Sequence, residues 1–370
     1  MPVRSYVAIT VLLVIVVACG SVPSAGSPAA AGSPTASAAP SRPATTTRPS
    51  PPTKPSPTSR VGVLPNPDGS VLIGLPAVFG FAQPGDGGIF GILEYSGVGR
   101  DVVRIDPATY AVEAVVEGLP IGADPIAPVV VNGSIWLVDD IAGSVTQYDA
   151  DTGARIRAIE VGAFPIEPVA AYGDVWTINH GGDSITRIDS ETGEPYPAIE
   201  LPGSVPLTIT VVADDLMLVN GPDGSPTTWM VDPQQMELIG TYESTGCLKH
   251  YGYIGASIDG LVWRQNCDAT AVTIIDPRTG ERLETFPSPV APYPPLYVDG
   301  DMWLPLIAGT SPGTVGLALV NPDTHDVVRT FEQSAQLHDG WWFAAFDSWW
   351  RWGDEGLLRI PADTLREAAG

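Results

Sequence analysis

The sequence predicts an all-β protein, a seven-bladed β-propeller of four-stranded antiparallel blades. Two columns of residues recur along the chain. In the first, an aromatic or apolar anchor stands three residues after a turn, and the seven anchors are Phe90, Trp136, Trp176, Met217, Trp263, Trp303 and Phe343. In the second, a turn residue follows each anchor, at Asp106, Asp149, Asp189, Asp232, Asp276, Asn321 and Pro361. Four short strands in a repeat of 40 to 46 residues are typical of a propeller blade.

The third repeat shows the strand pattern most clearly. Apolar and β-branched residues alternate over Pro168–Tyr172, Val175–Asn179, Ser184–Asp189 and Pro197–Leu201, with Gly, Asp or Pro between the runs. The ending Asp-x-x-Thr-Gly at 189–193 predicts a tight turn. The Asp side chain can accept a backbone hydrogen bond two residues on, and Gly tolerates positive φ.

The first 60 residues are expected to carry targeting information and a tether. Arg4 precedes an apolar run, Val7 to Val17, that is short for a membrane span, and the run ends in Val-Val-Ala-Cys19-Gly. This resembles the lipobox of bacterial lipoproteins, which implies a signal peptide at 1–18 and a lipid on Cys19; a plain secretory signal is the alternative. Residues 19–60 are rich in Pro, Ala, Ser and Thr, and we expect a disordered tether there.

The propeller domain, 61–370, is strongly acidic. It holds all 42 acidic residues and only 13 of the 18 basic ones, an excess of 29 negative charges. Nucleic acid is an unfavourable partner, because phosphate binding depends on cationic side chains. Solubility is the simpler interpretation of the charge.

The N-terminal end of the domain is predicted to close the ring. Val71–Ile73, before Gly-Leu-Pro, matches the fourth strand of the first repeat, Val115–Glu117. The last repeat lacks such a strand. We therefore expect Val71–Ile73 to join the blade of Leu357–Ile360, which removes an unpaired sheet edge.

The remaining cysteines, Cys247 and Cys267, form an even pair in an exported protein. They fall at the start of one predicted strand and the end of the next. Antiparallel pairing brings these ends together, which predicts a disulfide; two buried thiols are the alternative.

Ligand-binding residues are expected on the face that carries the loops into strand one and between strands two and three. The polar residues expected there are Asp139, Asn179, Asn220 and Asn266, three positions beyond their anchors, and the same side chains could instead cap neighbouring backbone. Of the four histidines, only His180 and His250 could share a site. Metal sites need three or four suitable ligands. No cofactor is therefore expected, with Mg²⁺ or Ca²⁺ as the remaining option.

A tryptophan-rich segment provides a further candidate contact. Trp349, Trp350, Arg351 and Trp352 lie in a stretch of nine residues that we interpret as a loop. Such rings can stack on sugars or other flat groups; alternatively, they fill the seam between the last and first blades. Because alternate residues point to opposite sides, we expect at least one ring, Trp350, to be exposed beside Arg351.

The repeats resemble the YVTN-repeat and virginiamycin B lyase-like propellers of bacteria over nearly all of 71–365. Val175–Asn179 with Ile185–Asp189, and the copies Ile135–Asp139 and Val145–Asp149, carry the resemblance. It implies the propeller fold. For the lyase, which opens a macrocyclic lactone with a His base, an acidic partner and Mg²⁺, it implies that His250 matches the base. The chain has no adjacent cysteine pair such as quinoproteins use.

The sequence therefore predicts a monomeric, lipid-anchored lipoprotein on the extracellular face of a bacterial cytoplasmic membrane. Its propeller is expected to bind a cell-envelope protein or glycan without catalysis. A lyase or hydrolase with His250 as general base is the alternative.

Overall fold

Seven antiparallel sheets succeed one another along the chain as the blades of a propeller, in a computed structural model of the protein. The structure describes residues 62–369 apart from 96–98, 120–127, 204, 222–226, 244–255, 266–270, 288–289, 291–292, 307–313, 335–339 and 354–355. The prediction of a seven-bladed propeller with four-stranded antiparallel blades is confirmed, and blade seven carries one additional strand.

The strands follow the repeats. The chain first forms two strands of the last blade, β1 (Gly62–Pro65) and β2 (Val71–Gly74). Blades one to three are β3 (Val78–Gly85), β4 (Gly88–Tyr95), β5 (Gly99–Ile105), β6 (Val112–Leu119); β7 (Val129–Val131), β8 (Ser134–Asp139), β9 (Ser144–Asp149), β10 (Arg155–Glu160); and β11 (Pro165–Ala171), β12 (Asp174–Asn179), β13 (Ser184–Ile188), β14 (Ile199–Glu200).

The second half repeats this pattern. Blades four to six are β15 (Thr208–Ala213), β16 (Leu216–Asn220), β17 (Thr227–Asp232), β18 (Glu237–Glu243); β19 (Ala256–Ile258), β20 (Leu261–Gln265), β21 (Ala271–Ile275), β22 (Arg282–Pro287); and β23 (Leu296–Val298), β24 (Asp301–Pro305), β25 (Thr314–Val320), β26 (Val327–Ser334). Blade seven takes β27 (Gly340–Ala345), β28 (Ser348–Gly353) and β29 (Gly356–Pro361), and a short helix follows, α1 (Ala362–Ala369).

Blade order explains where the core lies. The first strand of blade three, β11, contacts the first strands β7 and β15 of its two neighbours, so the first strands line the ring axis. The second strand, β12, is buried along its whole length. Both faces of a blade are covered by adjacent blades, and second strands are therefore apolar on both sides.

The N-terminal strand closes the ring as predicted. β2 pairs with β29 in the register Val71↔Arg359, Leu72↔Leu358 and Ile73↔Leu357. The structure adds β1, which pairs with the outer side of β2 and makes blade seven five-stranded. No sequence pattern predicted this fifth strand.

The Asp turns also form as predicted. Asp189 Oδ1 accepts hydrogen bonds from the backbone N–H groups of Glu191 (3.0 Å) and Thr192 (2.7 Å). These bonds hold the pKa of Asp189 below its usual value, chiefly through Thr192. The turn ends at Gly193, whose φ is +75°.

One anchor was placed wrongly. The sequence pattern put Phe343 on the second strand of blade seven, three residues after Gly340. Phe343 instead lies on the first strand, β27, where it pairs with Trp350 of β28. Trp350 is the true anchor, because the turn before it uses Asp347, with φ +49°, in place of glycine.

No helix within the described ranges is long and apolar enough to cross a membrane.

Candidate functional site

The polar residues at the ends of the second strands stabilise the blades. Asn179 is fully buried; its Oδ1 accepts from the Gly162 N–H at 2.9 Å. Its Nδ2 donates to the hydroxyls of Ser184 (3.0 Å) and Thr186 (2.9 Å). Asn179 therefore has little capacity left for a ligand.

Asp139 and Asn220 are partly engaged: each uses its Oδ1, while the buried Asn220 Nδ2 has no hydrogen-bond partner among the described residues. Asp139 Oδ1 accepts from the Ala142 N–H at 2.8 Å and caps its own loop. Asn220 Oδ1 accepts from Thr228 Oγ1 (2.7 Å) and from Arg264 Nη2 (2.9 Å), which joins blades four and five. Burial lowers the pKa of Arg264. Among the polar residues three positions beyond the anchors, Asp139 and Asn179 best fit the alternative in which these side chains cap neighbouring backbone.

Four predicted residues and one candidate base lie outside the described residues. They are Cys19, Cys247, Cys267, Asn266 and His250. The lipid site, the disulfide and the candidate catalytic base accordingly stay predictions.

The tryptophan-rich segment is a strand rather than a loop. Trp349 and Trp350 lie on β28 with no exposed surface, so the prediction of an exposed Trp350 is wrong. Alternation does send them to opposite sides, Trp349 among Trp303 and Leu317 of blade six and Trp350 among Phe79 and Leu93 of blade one. A second strand has a neighbouring blade on each face, and both rings are therefore covered.

Arg351 is half-buried, and its guanidinium lies over the ring of Trp342 at 5.7 Å from the centroid. This cation–π contact places it within blade seven.

Three other aromatic side chains form a patch at the junction of blades seven and one, which we call the aromatic platform: Phe81, Trp341 and Trp352. Trp341 and Trp352 pair across β27 and β28 with nearly parallel rings, 6.3 Å between centroids. Phe81 of β3 lies 5.7 Å from Trp352 and is 43% exposed. Trp341 and Trp352 are half-buried. The platform stands at the end of β28 and the start of β27, on the face where ligand binding was expected.

His180 lies on the same face at blade three. Its backbone N–H donates to Phe164 O at 3.0 Å, and its Nδ1 lies 2.8 Å from Pro206 O. The ring of Phe164 is 5.9 Å from the His180 ring and 48% exposed. His180 is thus partly engaged by the loop into blade four.

Glu167 is a residue that sequence reasoning missed. It lies in β11, in the bulge between Ile166 and Val169, and Thr177 Oγ1 donates to the adjacent Ile166 O at 3.0 Å. Burial raises the pKa of Glu167 to about 8. The available signal was an acidic residue within an otherwise apolar first strand, directly before Pro168.

A separate cavity of about 380 Å³ lies on the opposite face, between blades three and four. Its walls include Tyr172 and Arg187, and Arg187 pairs with Asp174 at 2.6 Å. Tyr172 donates to Ala213 O at 2.8 Å, and burial raises its pKa to about 12. The Tyr172 hydrogen bond links the two blades, whereas the Arg187–Asp174 pair lies within blade three.

Among the residues that the structure describes, no three His, Cys, Asp or Glu side chains come together in a way that could hold a metal ion.

The fold and this face define a seven-bladed β-propeller protein with an aromatic patch on one mouth of its ring. Solved structures with the same fold include a streptogramin B lyase, at 16% identity and a TM-score of 0.56, covering 77% of this chain and 95% of that chain. BamB from Moraxella catarrhalis is similar at 15% identity and a TM-score of 0.51, covering 81% and 92%. The WD40 β-propeller domain of Doa1 is similar at 11% identity and a TM-score of 0.56, covering 79% and 94%.

At these identities the likeness shows the fold alone. The chain matches no protein-family model, and a search of curated proteins gives no match.

Proposed function

We propose that the protein is an exported lipoprotein, anchored through Cys19, whose propeller binds a cell-envelope ligand on the face of the aromatic platform. In this proposal it acts as a monomer on the extracellular face of the cytoplasmic membrane, without a cofactor, and does not bind nucleic acid. The targeting pattern of residues 1–20 and the tether-like composition of 21–60 support the anchoring. The excess of acidic residues in the propeller supports a partner other than nucleic acid.

The aromatic platform is the observation that carries the binding proposal. Phe81 keeps 43% of its surface exposed although it lies inside a strand of the ring. Trp352 extends the same surface from blade seven, beside the half-buried Trp341. Adjacent flat rings stack on flat apolar faces such as those of sugars. The platform therefore favours a glycan, or an envelope molecule that presents similar faces.

Capture from envelope extract tests this proposal. All described strands of the closed ring lie within 62–361, so the domain 61–370 contains them. We expect immobilised 61–370 to retain a ligand, and Phe81→Ala and Trp352→Ala to lose it while keeping the wild-type circular dichroism spectrum. Phe346→Ala is the matched control, because Phe346 is 39% exposed in the turn between the first and second strands of blade seven, at the opposite face. Equal capture by all variants would contradict the proposal.

Anchoring has its own test. Cys19→Ser should move the protein from the membrane to the medium or leave an uncleaved precursor. Processing that is insensitive to a globomycin-type inhibitor of the lipoprotein peptidase would exclude lipidation at this site.

The enzymatic alternative is tested through His250. Under the binding proposal, His250→Ala captures ligand as well as the wild type does. Opening of a macrocyclic lactone by the wild type, lost in His250→Ala, would replace the binding proposal with the lyase.

A further inference from the structure

Two side chains stand out on the strands that line the ring axis. Within the described residues, Phe81 and Glu167 are the two non-glycine residues with positive φ inside a strand, at +54° and +46°. The other such residues lie in turns and loops. Left-handed backbone is costly for any residue with a Cβ, and Glu167 is further restricted by Pro168. Strain of this kind inside a strand suggests a functional constraint.

The two residues occupy the same position in different blades. Phe81 lies two residues before Gln83, the partner of the anchor Phe90. Glu167 lies two residues before Val169, the partner of the anchor Trp176. Each sits in a bulge of its first strand. Blades one and three therefore present Phe81, a platform residue, and Glu167 at the same level along the ring axis.

No described residue places a compensating charge beside the Glu167 carboxyl. Among the described residues, none forms a side-chain hydrogen bond or ion pair with it, and burial alone shifts its pKa upward. Several strands pack against β11. Among them, β7 and β15 carry no titratable side chain. The carboxylates on β12 and β8 are Asp174, paired with Arg187, and Asp139, which caps Ala142.

The neighbourhood of Glu167 favours a cation. Phe164, three residues before Glu167, has a half-exposed ring that can stabilise a cation over its face. The domain's excess of acidic residues also draws cations towards the ring.

We propose that Glu167 is the anionic contact for an ammonium or guanidinium group of the ligand that binds at this face of the ring. This inference rests on the proposed function, and it names the chemistry of the ligand. A carboxylate that is half-buried without a partner gains charge-assisted hydrogen bonds when a cation arrives. The flat part of the ligand would lie on the aromatic platform or on Phe164.

The matched probes benzamidine and benzamide test the proposal, because they share shape and differ in charge. Binding of each to domain 61–370 is measured by calorimetry at pH 6 and pH 9, where benzamidine stays cationic. We expect benzamidine to bind about tenfold or more tightly at pH 9, where Glu167 is ionised, and benzamide to show no such change.

Two variants distinguish the outcomes. Glu167→Gln should bind benzamidine weakly and without the pH dependence. Glu191→Gln, an equal charge change at an exposed turn residue of the same blade, should behave as the wild type. The proposal is overturned if the wild type does not bind benzamidine at pH 9, or if Glu167→Gln retains the wild-type profile. Capture of the envelope ligand that depends on Phe81 and Trp352 would still stand in that case, so the two proposals fail separately.

Discussion

The guanidinium of Arg359 donates a hydrogen bond of 2.7 Å to the hydroxyl of Tyr110, which links the third strand of blade seven to a turn of blade one. Arg359 also donates to Ser348 Oγ at 2.9 Å. The contact crosses the seam where the two ends of the chain meet, so it adds side-chain support to the closure made by β2.

Tyr110→Phe should weaken this closure. Removing the hydroxyl leaves one donor of a part-buried arginine without its acceptor, which should lower the free energy of unfolding by about 1 to 2 kcal/mol. Urea unfolding measures the change. Tyr196→Phe is the control, since the Tyr196 ring also stacks with an arginine, Arg187, at 4.7 Å, but its hydroxyl has no hydrogen-bond partner among the described residues. Equal stability of Tyr110→Phe and the wild type would show that the bond contributes nothing.

Gly153→Ala and Gly173→Ala form a matched pair in blades two and three. Both residues have positive φ, +68° and +80°, so each substitution should cost about 1 to 2 kcal/mol in backbone strain. A Cβ at Gly153 would also clash with the backbone oxygen of Val115, whereas one at Gly173 would meet nothing within 4 Å. Gly153→Ala should therefore lose at least about 2 kcal/mol more in a denaturant titration. Similar losses of stability in the two variants would mean that β6 moves away from the new methyl group without a cost in free energy.

Glu167 should make stability depend on pH. Its pKa is raised to about 8 in the folded state, so the unfolded chain releases this proton first as pH rises. The Glu167 contribution to stability is complete below about pH 4.5 and is lost as the pH rises to about 8. Glu167→Gln should remove this dependence and raise stability at pH 9 by a few kcal/mol, since one pKa unit is about 1.4 kcal/mol. Parallel stability curves for the two proteins between pH 5 and pH 9 would contradict the shift.

Trp350 and Trp352 lie on the same side of β28 and differ in burial. Trp350→Ala removes a fully buried ring whose Nε1 donates to Ala345 O at 2.9 Å, and it should cost about 3 to 5 kcal/mol. Trp352→Ala removes a half-buried ring, and we expect a loss below about 2 kcal/mol. Thermal unfolding of both variants checks the order. A larger loss of stability for Trp352→Ala would mean that the aromatic platform stabilises the junction of blades seven and one and is not a ligand-binding surface.

The Cys247–Cys267 disulfide stays a prediction from the sequence. Non-reducing mass spectrometry of the exported domain should find both sulfurs in one bridge, and two alkylatable thiols would exclude it. The bridge closes a loop of about 20 residues, for which chain entropy gives about 3 kcal/mol of stabilisation. Reduction should lower the unfolding midpoint accordingly.

The repeated turns made the fold predictable. Asp189 and its counterparts fix the ends of third strands through local hydrogen bonds, and such local chemistry can be recognised in a sequence. Val71–Ile73 is assigned to the last blade because that blade lacks a strand in the sequence pattern, and the pairing with Leu357–Arg359 confirms the assignment.

The site was harder to predict, because burial depends on neighbouring blades. Trp350 and Trp352 are alike in sequence, and only the packing of β3 against β28 separates a core ring from a surface ring. Blade seven misled the repeat pattern because Asp347 takes the place of the usual glycine. Glu167 gave only the signal of an acidic residue in an apolar first strand, since a bulge follows from the pairing of that strand and not from its composition.

The hairpin of β1 and β2 has a mechanical consequence. Because Gly62 pairs with Gly74 at the outer edge of blade seven, tension applied at residue 62 would unzip β1 one pair at a time while β2 stayed bonded to β29. The pairs of β1 would break before those that hold the ring shut. A domain pulled from its N-terminal end would thus lose the pairing of β1 first, while the ring of blades stayed closed.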